Sequence, residues 1–265
     1  MAHKKLIIGN WKMNMTIEEG RNFLRRLDKI LSIHRNVEVV ICPTMVALHP
    51  LSKEIKGEKI KLGVQNIHYA DHGTFTGEVS VPMVKDIASY ALIGHSDRRR
   101  KFHEDEDMIA RKVAACVRNG LTPVLCVGED LVSRQNNEAD MVIHDQVAAG
   151  LVMLTGEDIE NVVIAYEPIW SISDGDGKGT FANPDIVVKA VKVIRRTIEA
   201  LYGKPAAAAL RVIYGGSSNP DDAGAYLNIP GVDGLLPGGA SMNYHSFAKM
   251  IEIAHTKAKS NKQTK

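Results

Sequence analysis

Short runs dominated by apolar and β-branched residues recur along the chain, and the segments between them alternate apolar and polar positions with helical spacing. The runs fall at residues 6–13, 37–42, 60–65, 90–95, 123–128, 162–167, 210–215 and 234–237. Runs this short and continuous read as strands buried on both faces, because a strand with one wet face would alternate polar and apolar residues. Three intervening segments carry clear helix punctuation. Residues 16–31 begin at Thr16, a possible N-cap, with Glu18 and Glu19 in the first turn. Residues 104–119 are acidic at the start and stop at Gly120, and Pro184 opens a helix over 185–201 that stops before Gly203. About eight runs spaced by roughly 25–45 residues suit successive βα units.

Eight such units in 265 residues predict an α/β protein with a single closed (β/α)8 barrel. A doubly wound open sheet fits less well. It would use five or six strands and a GxGxxG turn after the first, which the sequence lacks. The expected domain spans residues 1–256, followed by a polar tail over 257–265.

Composition narrows the function classes. The chain is 45% hydrophobic and 24% charged with a net charge of +2, so bulk electrostatics offer no nucleic-acid or membrane surface. The basic run Arg98–Lys101 is followed closely by four acidic residues and reads as a locally balanced surface. Three cysteines without a CxxC make neither a disulfide framework nor a zinc site, and Cys42 and Cys126 read as core residues. No apolar run is long enough to span a bilayer, and the N-terminus lacks a signal-peptide pattern. A reducing cytoplasm is the expected location.

In a (β/α)8 barrel the chemistry gathers where strands end. That rule selects Asn10, Lys12, Gln65, Asn66, His95, Glu167, Gly215, Gly216, Gly238 and Gly239. Each alone has an ordinary explanation: a surface lysine, a structural histidine, a tight Gly-Gly turn. Together they supply a base, an electrophile, a cation and two glycine-rich turns whose amides can approach an anion. Glu167 ends a buried run, Trp170 and Ile172 offer an apolar wall, and the segment Gly175–Gly179 reads as a closing loop. The set suits proton abstraction beside a carbonyl of a small phosphorylated sugar, with Lys12, His95 and Asn10 stabilising an enediolate. No metal cluster is evident, and no cofactor is expected.

The segments Gly9-Asn10-Trp11-Lys12, Gly94-His95-Ser96, Tyr166-Glu167-Pro168, Tyr214-Gly215-Gly216-Ser217 and Gly238-Gly239-Ala240-Ser241 together resemble the triosephosphate isomerase family. The resemblance runs in family order from residue 8 to about 241, with further matches at Gln65-Asn66, Thr76-Gly77-Glu78 and Cys126-Val127-Gly128-Glu129. It implies Glu167 as base, His95 as neutral electrophile and Lys12 as the cation beside the substrate. It also implies Asn10 in the oxyanion region and backbone contacts to phosphate from Ser173, Ser217, Gly238 and Gly239. The implied reaction interconverts dihydroxyacetone phosphate and glyceraldehyde 3-phosphate. The implied assembly is a homodimer joined through the loop around Thr76. Alternatives are an isomerase of a four-carbon ketose phosphate, or a catalytically silent phosphosugar-binding protein.

Three departures from the family pattern bear on function. The loop Ile172–Thr180 is a few residues longer, with Ser173 in place of glycine and with added Asp174 and Asp176. The spacing Asp174, Asp176, Lys178, Gly179, Asp185 echoes a calcium loop, but a lysine at the fifth position and no Glu at the twelfth argue against the ion. Asp97 replaces a glutamate that pairs with Lys12, and its lost methylene is expected to lengthen that contact and slow turnover. Pro237 replaces valine before the glycine pair.

Overall fold

The computed structural model describes residues 3–32, 36–55, 59–172 and 179–263. Eight parallel strands close in sequential order into one barrel: β1 (Lys5–Asn10), β2 (Val37–Cys42), β3 (Lys61–Val64), β4 (Tyr90–Ile93), β5 (Thr122–Val127), β6 (Val163–Tyr166), β7 (Arg211–Tyr214) and β8 (Gly234–Leu235). Leu6 and Ile7 of β1 pair with Gly234 and Leu235 of β8 to complete the circle. Only glycine fits at 234, because a Cβ there would stand 1.8 Å from the Leu6 carbonyl oxygen.

The apolar runs divide into two cores by strand alternation. Leu6, Ile8, Val40, Leu92, Val124, Val163, Ala165 and Ile213 fill the barrel interior. Their neighbours Ile7, Ile41, Ile93, Leu125, Ile164 and Val212 face outward beneath the helices. Both faces are therefore dry, which is why the strands read as continuous apolar runs.

The helices begin and end where the sequence punctuates them. Thr16 caps the helix Ile17–Ile30, and the Glu19 carboxylate accepts the Thr16 amide in return, completing a capping box. The helix Glu106–Arg118 starts at the Asp105 cap. It ends with Gly120 at φ 77°, where the Leu121 amide donates to the Cys116 carbonyl and the Gly120 amide to that of Val117. Asn183 caps the helix Pro184–Ala209, which kinks at Gly203 (φ 85°) and then resumes, eight residues past the expected end at 201. The final helix, Tyr244–Gln263, carries helical backbone through residue 257 into the polar segment set apart above. Among the described residues no helix is long and apolar enough to cross a membrane.

The strands are shorter than the apolar runs at the end that matters. The first run extends to residue 13, but β1 stops at Asn10 and Lys12 takes φ 52°. The polar strand-end residues thus lie on loops at one mouth of the barrel, carried by a rigid frame.

Candidate active site

Glu167 follows β6 directly and is 2% exposed. Its amide donates to the Val127 carbonyl at 2.7 Å, continuing the β5–β6 ladder and fixing the backbone beneath the carboxylate. Two glycines make room for it. A Cβ on Gly215 would stand 2.7 Å from Glu167 Cγ, and one on Gly128 only 1.9 Å from the Glu167 carbonyl oxygen. Gly128→Ala sets a methyl against backbone that cannot rotate away. We expect it to lower stability by about 1–3 kcal/mol, read from the urea midpoint, and a midpoint equal to wild type would contradict this packing.

The carboxylate is lightly restrained. Oε2 accepts a 3.3 Å hydrogen bond from the Ser96 amide. Oε1 lies 3.5 Å from His95 Nε2, beyond a good hydrogen bond, and has no hydrogen-bond partner among the described residues. Cys126 lies beside it, and burial first, then the Glu167 charge, push the Cys126 thiol well above its ordinary range. The thiol is therefore an inert wall, as its core position suggested.

His95 is 7% exposed and caps the helix Ser96–Lys101. Its Nδ1 accepts the Asp97 amide at 3.1 Å. A nitrogen that accepts a hydrogen bond carries no proton, so the ring has the tautomer with Nε2–H, aimed toward Glu167 Oε1. The geometry makes His95 a hydrogen-bond donor into the barrel mouth.

Lys12 is held in its left-handed conformation by two side chains. The Asn10 carboxamide oxygen accepts the Lys12 amide at 3.0 Å, and Gln65 Nε2 donates to the Lys12 carbonyl at 2.8 Å. Lys12 Nζ pairs with Asp97 Oδ2 at 3.1 Å. A Cβ built on Gly238 would have Lys12 Cε as its nearest neighbour, at 3.8 Å, so the cation stands beside the last glycine pair. The Asn10 amide donates to the Pro237 carbonyl, extending the β1–β8 contact up to that pair. On the other side Ser217 Oγ donates to the Ser171 carbonyl at 2.7 Å, next to Gly216.

The structure therefore brings together Asn10, Lys12, His95, Glu167, Ser217, Gly238 and Gly239 at one mouth of the barrel. Ser173, with Asp174 and the rest of 173–178, lies outside the described residues. Asn66 has a different place: its carboxamide accepts Lys112 Nζ at 2.8 Å, at the edge of the buried Lys112–Glu104 pair. Trp170, offered as an apolar wall, has its ring edge anchored. Its Nε1 donates to Glu129 Oε1 at 2.7 Å.

Glu129 was not singled out as a functional candidate in the sequence. It is fully buried and also accepts from Tyr166 and Arg134, so it ties the end of β5 to the turn that follows Glu167. Its place just past the end of β5 was the available signal.

These side chains can remove a proton with Glu167, donate one from His95 and stabilise negative charge with Lys12, above glycine turns open to an anion. The triosephosphate isomerase family profile matches residues 5–254. The chain belongs to the triosephosphate isomerase family. It is 39% identical over 252 residues to the triosephosphate isomerase of Endomicrobium trichonymphae, a match covering 95% of this chain and 99% of that relative. It is 40% identical over 250 residues to that of Carboxydothermus hydrogenoformans, covering 94% and 98%. The relative from Symbiobacterium thermophilum is also 40% identical over 250 residues, covering 94% and 96%.

Against the triosephosphate isomerase pattern, Asp97 behaves differently from the sequence expectation. The shorter carboxylate still meets Lys12 at 3.1 Å. Burial opposes its ionisation, but a hydrogen bond from Lys101 and the charge of Lys12 outweigh it and hold the carboxyl down at about 2. Pro237 costs the site nothing visible, because its carbonyl remains the acceptor for Asn10.

Proposed function

We propose that this protein interconverts dihydroxyacetone phosphate and D-glyceraldehyde 3-phosphate, with Glu167 as base, His95 as electrophile and Lys12 as the stabilising cation. The buried Glu167 carboxylate, with a free oxygen facing the Nε2–H of His95, carries the assignment. Glu167 would take a proton from the carbon beside the carbonyl while His95 Nε2–H donates to the carbonyl oxygen. Lys12 would stabilise the enediolate charge as it develops, with Asn10 at its side. His95 would then take up the proton of the adjacent hydroxyl as that oxygen becomes the new carbonyl, Glu167 would return its proton to the neighbouring carbon, and no electron leaves the substrate. Backbone amides at Ser173, Ser217, Gly238 and Gly239 would hold the phosphate. This chemistry needs no cofactor.

The proposed assembly is a cytoplasmic homodimer built on the loop around Thr76. Thr76 is exposed, and beside it Phe75 leaves 40% of its surface open although its ring packs on His68. Met13, Val46 and Met83, which follow β1, β2 and β3 at the same end of the barrel, are 93%, 71% and 67% exposed. Apolar side chains this open, grouped at one end, suit burial against a second copy.

The test is a coupled assay of purified protein with glyceraldehyde 3-phosphate, with mass in solution measured by sedimentation. Turnover by a particle of twice the chain mass is expected. Folded protein with no turnover would remove the triose assignment. Four-carbon ketose phosphates, and then phosphosugar binding without turnover, would be tried next.

A further inference from the structure

Asp97 is one methylene shorter than the glutamate of the family pattern, yet it reaches Lys12, and its other oxygen shows how. Oδ2 lies 3.1 Å from Lys12 Nζ, while Oδ1 lies 2.9 Å from Lys101 Nζ. Asp97 and Lys101 are four apart on the helix Ser96–Lys101, so their side chains share a face, with the acid in the favourable N-terminal position. His95 Nδ1 is 3.6 Å from Oδ2, but it is already accepting the Asp97 amide. Thus Lys12 and Lys101 hold the carboxylate by different oxygens. The Asp97 side chain is 29% exposed, so without Lys101 its carboxylate is free to rotate toward water and away from Lys12.

We propose that Lys101 is a positioning residue for the isomerase reaction. By binding Oδ1 at the outer side it directs Oδ2 at Lys12, and so fixes the ammonium where enediolate charge develops. The proposal rests on the isomerase reading above. It also accounts for the 3.1 Å contact that the short aspartate makes with Lys12. Lys101 is 57% exposed, and an exposed pair of this spacing contributes little to folding. Its effect therefore belongs in the kinetics and not in the melting temperature.

The experiment compares wild type, Lys101→Met, Asp97→Glu and the double variant, measuring kcat, KM and Tm with glyceraldehyde 3-phosphate. Lys101→Met is expected to lower kcat/KM roughly three- to tenfold, mainly through kcat, with Tm unchanged. In the Asp97→Glu background the same replacement is expected to cost less than about twofold, because the longer carboxylate spans to Lys12 by itself. Wild-type kinetics in Lys101→Met, or an equal loss in both backgrounds, would overturn the positioning role while leaving the isomerase reading intact. A wild type without turnover would defeat the isomerase reading and this role with it.

Discussion

Replacing Glu167 with glutamine is expected to lower kcat for glyceraldehyde 3-phosphate by roughly 10²–10⁴-fold while leaving the protein folded and within about 1–2 kcal/mol of wild-type stability. The two halves of this result come from one observation. Glu167 is 2% exposed and its Oε1 has no hydrogen-bond partner among the described residues. A buried carboxylate with an unsatisfied oxygen destabilises the fold, and an amide of the same shape removes the charge, but its nitrogen then faces the Nε2–H donor of His95, so the two effects offset. The Ser96 amide retains an acceptor in the glutamine oxygen, so the backbone around His95 need not move. Activity falls because an amide cannot take a proton from carbon. Steady-state kinetics beside thermal melting would check both. A variant that keeps its turnover ends the case for Glu167 as base. One that loses turnover only by melting early would assign the residue to the fold instead.

The same burial explains why the site was legible before the fold was seen. A carboxylate, an imidazole and a cation at the ends of apolar runs stand out because those runs have no wet face, as Ile164 and Ala165 show on opposite sides of β6. Helix ends were legible for a local reason: Thr16, Gly120 and Pro184 act on backbone within a turn of themselves. What the sequence concealed is set by distant contacts. The apolar pattern carries the first run to residue 13, yet Asn10 and Gln65 hold Lys12 in a left-handed turn. The Gly203 break looked like a helix end because a local rule does not reveal that helix resumes after the kink. The three donors converging on Glu129 come from β6, its following turn and the residues after β5, and no spacing along the chain encodes that convergence. Side-chain length misled at Asp97, where the missing reach is supplied by a neighbour one helical turn away.

That arrangement bears directly on Lys12, whose replacement by methionine is expected to lower kcat/KM by roughly 10²–10³-fold. A lysine at φ 52° carries a backbone cost of about 1–2 kcal/mol that glycine would avoid, and such conformations persist where surrounding bonds impose them. Here the Asn10 and Gln65 bonds impose it through backbone atoms, so methionine inherits the same turn. The loss is therefore of charge and not of placement. Asp97 is left with Lys101 on its other oxygen and is not an orphaned acid, so the melting temperature is expected to change little. The kinetic loss should divide between the two constants. A cation beside Gly238 attracts the substrate anion in the ground state, which raises KM when it is removed. It also meets charge that appears only as the enediolate forms, which lowers kcat. A Lys12→Met variant with raised KM and wild-type kcat would restrict the lysine to substrate binding. It would also deprive Lys101 of its proposed route to the reaction, because a residue that orients Lys12 affects turnover only if Lys12 does.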